Sequence, residues 1–247
     1  MPIAARIVTQ LAVGSFNATS TASGANWGVE SSTFPVNTLA DVEFERFANG
    51  RKTMAISFPG YNDYDAGAWD SYSRANFGSQ QVVTLAYDGA TAGSGAAIAN
   101  GIMPAKQMFS ANIGDAPAIE ANIVGSTAAA PFGQGLITRA SSSNITATTT
   151  TTAVQVGALV PAQTVVAAIH VFSYSGTGTI TCQLQSSSTA GGSYTNRGSA
   201  GPAISAAGAQ WISATGLTVT DTWWRLNVTA SASPVATVLA TIAIITP

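Results

Sequence analysis

The chain has 247 residues, of which only 8% are charged, with nine Lys/Arg against eleven Asp/Glu and a net charge of −2; ordinary globular chains are about 25% charged. Ala (45), Thr (30), Ser (26) and Gly (24) fill half the chain, and an apolar fraction of 46% with a mean hydropathy of +0.26 excludes disorder, which needs low hydropathy and high charge. A single Cys and a single His exclude a disulfide framework and a Cys/His zinc site, and the missing basic excess excludes a protein that grips nucleic-acid phosphates.

In chain order, residues 3–13 read as a first strand. Thr9 and Gln10 break the apolar stretch there, so it does not resemble a signal peptide. No later run is apolar for the ~18 residues a membrane helix needs. Residues 41–47, 53–58 and 80–87 read as further strands, and 70–77 as a short helix with Asp70 near its start. Residues 89–101 are small, glycine-rich and read as flexible. Charge then falls away: ten acids and seven bases lie before residue 140, and only Arg197, Asp221 and Arg225 after it. The Ser/Thr-rich tract at 140–152 marks the seam as a linker or edge segment, dividing a unit over 1–145 from one over 153–247.

The second unit reads as a β-sandwich. Val154, Val156 and Leu159 suggest its first strand. Residues 165–174 (VVAAIHVFSY) form a continuous apolar, β-branched run of the kind buried on both faces, while 179–185 (TITCQLQ) alternate. Gly176-Thr177-Gly178 between them reads as a hairpin turn. Residues 210–214, 222–230 and 235–245 complete the set, with Trp211, Trp223 and Trp224 as large core pieces whose indole N–H groups need partners.

Residues with chemistry are few. His170 is the only imidazole, sits inside the strongest strand, and has only Asp221 as an acid in its own unit, so it reads as a structural histidine. Cys182 lies on the apolar face of its strand and reads as an inert core thiol. Asp63, Asp65 and Asp70 offer oxygen donors for a hard cation, but the spacing to Gly67 puts Asn62, Tyr64 and Ala66 at the ligand positions and no Glu closes the loop. The same acids could serve a paired-carboxylate hydrolase; a solvated turn and helix start is the simpler reading. Gly89, Gly93 and Gly95 lack a following Lys-Ser/Thr, and Arg46, Arg51 and Lys52 around Phe47 are balanced by Glu43 and Glu45. No catalytic, cofactor or metal site is expected.

Several strings resemble a known family. They are Thr33-Phe34-Pro35 leading to Asp41-Val42-Glu43, Gly50-Arg51-Lys52 leading to Phe58, Gly60-Tyr61-Asn62-Asp63, and QVVTLAYD at 81–88. Residues 103–121 followed by Gly125-Ser126 and Gly133-Gln134-Gly135-Leu136 continue the pattern, as do Gln210-Trp211-Ile212 with Asp221-Thr222-Trp223-Trp224-Arg225. Together they resemble the major tail tube proteins of long-tailed, non-contractile bacteriophages, some of which carry a C-terminal β-sandwich. The resemblance implies a mainly β fold: an N-terminal antiparallel β-barrel or sandwich-like tube domain with one short helix, then a C-terminal β-sandwich. It also implies a virion protein assembled in the host cytoplasm into stacked, usually sixfold rings, a conduit through which genome DNA passes without specific binding. Its partners would be its own copies, the tape-measure protein, and tail terminator and tip proteins, with no membrane.

Physics agrees with that picture. A neutral Ala/Ser/Thr-rich surface suits a subunit whose flanks are covered by neighbours, and a lumen that must not hold DNA should present acids. Glu43, Glu45, Asp63 and Asp65 are the candidate lumen acids. Two rivals belong to other classes: a virion fibre, decoration or carbohydrate-adhesion module that exposes its Trp residues, and a hydrolase built on Asp63, Asp65 or Asp70.

Overall fold

The computed structural model of the chain describes residues 8–35, 47–61, 67–103, 108–110, 118–125 and 132–246. The first unit contributes β1 (Gln10–Val13), β2 (Phe16–Asn17), a 3-10 turn (Ala18–Ser20), β3 (Asn26–Pro35), β4 (Phe47–Tyr61), α1 (Trp69–Ala75), β5 (Gln80–Ala86), β6 (Gly95–Ile102), β7 (Met108–Ser110), β8 (Ala118–Gly125) and β9 (Phe132–Arg139). The remainder contributes β10 (Asn144–Ile145), β11 (Thr149–Thr150), β12 (Val154–Gln155), β13 (Thr164–Gly176), β14 (Thr179–Ser187), β15 (Thr195–Asn196), β16 (Gly208–Thr215), β17 (Trp223–Ser231) and β18 (Pro234–Ile245). The protein is mainly β, with α1 the one α-helix among the described residues.

A 13-stranded antiparallel sheet runs in the order β16-β13-β18-β9-β6-β5-β1-β2, with β3, β4, β7 and β8 on a branch that joins at β6. The branch point is local. Ala99 to Gly95 of β6 pair with β9, whereas Gly101 and Ile102 pair with β8. A Cβ on Gly101 would run into the Val124 carbonyl, so only glycine lets the two partners share one strand. Glycine has the same role in β9, where a Cβ on Gly133 would meet Ile245 at 2.6 Å and one on Gly135 would overlap the Ile242 carbonyl.

Both faces of the central strands are buried. Leu11, Val13, Val83, Leu85, Ala97 and Ala99 point into a core shared with Ile56, Phe58, Ile123 and Trp69 of α1. Their neighbours Ala12, Val82, Ala86, Ala96 and Ile98 point the other way, against Val166, Ala168, Leu239, Ala243 and Ile245. Strand alternation places the opposite residues of β13 and β18, from Val165 and Ala167 to Ala240 and Ile242, in a third core. That core is the interior of a β-sandwich, closed by a five-stranded sheet ordered β11-β17-β14-β15 with β12 also on β17. The run at 165–174 is therefore buried on both faces, as its composition predicts, and the large sheet curls into a half-barrel with β13 facing β5.

Two expectations need correction. The stretch 89–101 is a turn only in its first part, where Gly89 and Gly93 take positive φ (102° and 92°) between β5 and β6. From Gly95 the chain is a buried strand whose residues are small because both faces are packed. Gly176-Thr177-Gly178 is not a hairpin either. β13 pairs with β18 up to Gly176–Pro234, and β14 resumes with β17 at Thr179–Ser231. The glycines (φ 86° and 91°) let one continuous two-stranded ribbon bend around a corner from the large sheet to the small one. The parallel bend at Ser231–Pro234 is stitched to it by Thr177 N–H donating to the Ser233 carbonyl at 3.3 Å.

The polar tract at 140–152 crosses between sheets. β10 pairs with β18 and β11 with β17, Ile145 enters the sandwich core, and the buried Thr151 hydroxyl accepts the Leu226 N–H at 2.9 Å.

Candidate assembly surface and buried seam

β16 ends the large sheet. It pairs in unbroken register with β13, from Thr215 opposite Thr164 to Gly208 opposite Val171. Among the described residues no backbone group of Gly208–Thr215 bonds anything beyond that ladder. Its sequence, GAQWISAT, has no charge and no proline, and the register has no bulge. Monomeric proteins blunt a long edge with lysine, proline, a bulge or a covering element, because a row of free N–H and C=O groups recruits another strand. Trp211 anchors the strand from inside against the half-barrel core, and Ile212 and Ala214 anchor it to the sandwich core. Gln210 donates from Nε2 to the Pro202 carbonyl at 2.9 Å, while its buried Oε1 has no partner.

The opposite end of the sheet is covered. β2 contributes two residues, and the Leu11 N–H is taken by the Thr19 hydroxyl of the 3-10 turn at 3.0 Å.

His170 is the seam of the half-barrel. It is fully buried on β13. Nδ1 lies 2.7 Å from the Gly14 carbonyl, which can only accept, so Nδ1 carries the proton and Nε2 accepts from Thr84 Oγ1 at 2.8 Å. Burial holds its pKa down at about 4, so the ring is neutral at pH 7. Gly14 takes φ +56°, and a Cβ there would overlap the hydrogen-bonded pair of Tyr72 Oη and Gln81 Oε1. Burial raises Tyr72 to about 12, so that phenol keeps its proton and donates. A chain of contacts thus runs from α1 through Gln81 and the β1–β2 turn to β13. With no carboxylate on His170 and no solvent, it does structural work.

Other candidates fall into place in the same way. Asp70 Oδ2 pairs with Arg74 Nε at 2.9 Å across one helical turn. Glu43, Glu45, Asp63 and Asp65 lie outside the described residues. Cys182 is buried and free, its thiol pushed up to about 12 by burial. Among the described residues no three His, Cys, Asp or Glu side chains are grouped to hold a metal, and no helix is long and apolar enough to cross a membrane. Trp69 and Trp224 are buried and Trp27, Trp211 and Trp223 are half-buried. Trp224 Nε1 donates to the Gly157 carbonyl at 2.8 Å. Sequence reading missed one cluster: Arg197 Nη2 pairs with Asp221 Oδ2 at 2.9 Å, and Ser186 Oγ lies between them, accepting from Arg197 Nε at 2.7 Å and donating to Asp221 at 2.8 Å. The available signal was that Asp221 is the one acid in that half of the chain, with only Arg197 and Arg225 to pair with it.

No family model and no curated protein sequence matches the chain. Among solved structures, a component of the virion of a native gene transfer agent particle aligns at 14% identity and TM-score 0.36, over 48% of this chain and 92% of that one. The SPP1 Dit protein, described as a paradigm of the hub adsorption apparatus in phages that infect Gram-positive bacteria, aligns at 8% identity and TM-score 0.33, over 96% of this chain and 98% of that one. At those scores neither likeness assigns a fold family.

Proposed function

We propose that the chain is a structural subunit of a bacteriophage tail whose copies join into stacked rings, forming the tube through which genome DNA leaves the virion. The observation that carries this reading is β16, an eight-residue strand with no charge, proline or bulge, packed on residues 198–202 yet with its outer backbone groups unbonded among the described residues. A free edge that docks on a different surface of the next copy is a heterologous contact, and such contacts close into rings when the rotation allows. A chain with 8% charged residues supports the same reading, because covered flanks need no charge to stay soluble.

On this reading residues 1–145 build the wall around the bore together with β13, β16 and β18 of the same sheet, the rest of 153–247 forms a sandwich on its outside, and 140–152 connect the two. Glu43, Glu45, Asp63 and Asp65 face the bore, where negative charge keeps DNA phosphates from sticking. Rings are hexameric, tape-measure protein occupies the bore before ejection, terminator and tip proteins close its ends, and no catalytic step or cofactor enters.

Negative-stain microscopy of the purified chain tests it. Tubes or stacked rings of uniform bore are the expected result, and the double variant Ser213→Lys, Thr215→Lys, at two exposed β16 positions, keeps the fold and loses the tubes. A monodisperse monomer at every concentration overturns the proposal.

A further inference from the structure

The last 108 residues carry three formal charges, and the fold gathers all of them at one end of the five-stranded sheet. Two cancel in the Arg197–Asp221 pair. The third, Arg225, is half-buried and has no carboxylate partner among the described residues. It is nevertheless held firmly. Its Nε donates to Gln185 Oε1 at 2.9 Å, its guanidinium carbon sits 3.8 Å from the centre of the Tyr194 ring, and Gln185 Nε2 donates to Asn196 Oδ1 at 2.8 Å. This leaves the Nη1/Nη2 end of the fork without an acceptor among the described residues.

Register completes the patch. Trp224 and Leu226 point into the sandwich core, so Trp223 and Arg225 share the outer face, with Gln155 opposite Trp223 and Gln185 opposite Arg225. The face therefore sets an indole beside a pre-oriented guanidinium, ringed by side-chain amides, with no aliphatic residue among these six. An oriented fork matches the two oxygens of a carboxylate, and an indole packs against the C–H face of a ring whose hydroxyls need neutral donors and acceptors. One uncompensated cation is too few for a nucleic acid, whose grip comes from many phosphate contacts.

We propose that this outer face binds an acidic saccharide, its carboxylate on Arg225 and its sugar ring against Trp223. The site is independent of tube formation and stands or falls separately from it. Saturation-transfer difference NMR on the full chain, which works for a monomer or a large assembly, tests it with hyaluronan tetrasaccharide as the probe. Transfer to the glucuronate ring protons is expected, falling about tenfold in Arg225→Gln, which keeps a planar amide but removes the charge. Trp223→Ala abolishes transfer, and Gln155→Ala, at an exposed position that cannot unfold the sheet, weakens it. The proposal is overturned by no transfer to the wild type, by equal transfer in Arg225→Gln, by equal transfer from neutral cellotetraose, or by stronger transfer to a thymidine tetranucleotide.

Discussion

Acid should loosen the half-barrel through one residue. His170 bridges β13 to the β1–β2 turn and to β5 in its neutral form. Its folded pKa is about 4, against 6.5 for a free imidazole. Between those values the unfolded chain binds a proton that the folded chain refuses, so stability falls as pH drops from 6.5 to 4 and is constant with respect to this group above 6.5. A gap of this size corresponds to roughly 3 kcal/mol, undiminished by solvent because the ring is fully buried. What faces the ring is the Gly14 carbonyl, the Thr84 hydroxyl and the Phe172 ring at 6.2 Å, so no neighbouring charge softens the effect. Urea unfolding at pH 7.5, 6.5, 5.5 and 4.5 measures it, compared with His170→Gln. The variant loses a hydrogen bond and starts lower by about 1–3 kcal/mol at pH 7.5, but the part of the acid slope that belongs to His170 disappears. Carboxylates contribute equally to both proteins and cancel in the comparison. If wild type and variant lose stability in parallel from pH 6.5 to 4.5, the ring is not the acid-sensitive element and its burial as a neutral seam is wrong.

Gly135→Ala should destabilise by about 2–3 kcal/mol in denaturant unfolding, because the new Cβ overlaps the Ile242 carbonyl and cannot be relieved without breaking the β9–β18 ladder. Gly208→Ala is the control: nothing lies within 4 Å of its added Cβ, and the change stays within about 0.5 kcal/mol. Cys182 should resist a thiol reagent such as DTNB at pH 8 in native protein and react fully in urea, since burial keeps it protonated and out of reach; native-state labelling on the scale of minutes would contradict that packing. Asp221→Asn leaves Arg197 without its counter-charge and should cost about 1–3 kcal/mol in denaturant unfolding, whereas a change below about 0.3 kcal/mol would place the pair with ordinary surface ion pairs.

Strand existence was legible wherever apolar periodicity was strong. The run at 165–174 lies inside β13, the expected strands at 179–185, 210–214 and 235–245 fall within observed ones, and that at 222–230 matches β17 from Trp223 onward. What failed was partner choice, because periodicity reports how a strand is buried and says nothing about which strand lies beside it. Gly176 and Gly178 carry the composition of a hairpin turn and the positive φ that goes with it, yet β13 has both edges filled by β16 and β18. Small residues misled in the opposite direction. Ala96, Ala97 and Ala99 looked like loop, but they are small because two packed faces leave no room for more. His170 was legible as structural, since no acid was available to make it a base; its contacts to residues 156 and 86 positions away were not, because no local pattern encodes them. The candidate lumen acids fall outside the described residues, so they rest on the assembly proposal alone.

The distribution of polar groups connects the fold to assembly. Gln10, Gln81, Thr84, Asn100, Thr138, His170 and Thr241 are all buried in or beside the central strands, while the end strand β16 carries no charge. A buried hydrogen-bonded group restricts the ways two faces can meet, and the His170 bridge works only in one register of β13 against β5. That fixes the curvature of the half-barrel and hence the angle at which the β16 edge is presented. If β16 docks on the next copy, ring closure depends on this angle, because a heterologous contact closes only at the correct rotation. Loosening the seam should therefore disturb ring geometry before it unfolds the chain. In negative-stain images at pH 7.5, where the wild type has its full stability from this group, His170→Gln is expected to give arcs or tubes of variable diameter while the purified chain keeps its β-sheet circular dichroism. Tubes indistinguishable from wild type would separate the seam from assembly and leave β16 to set the contact by itself.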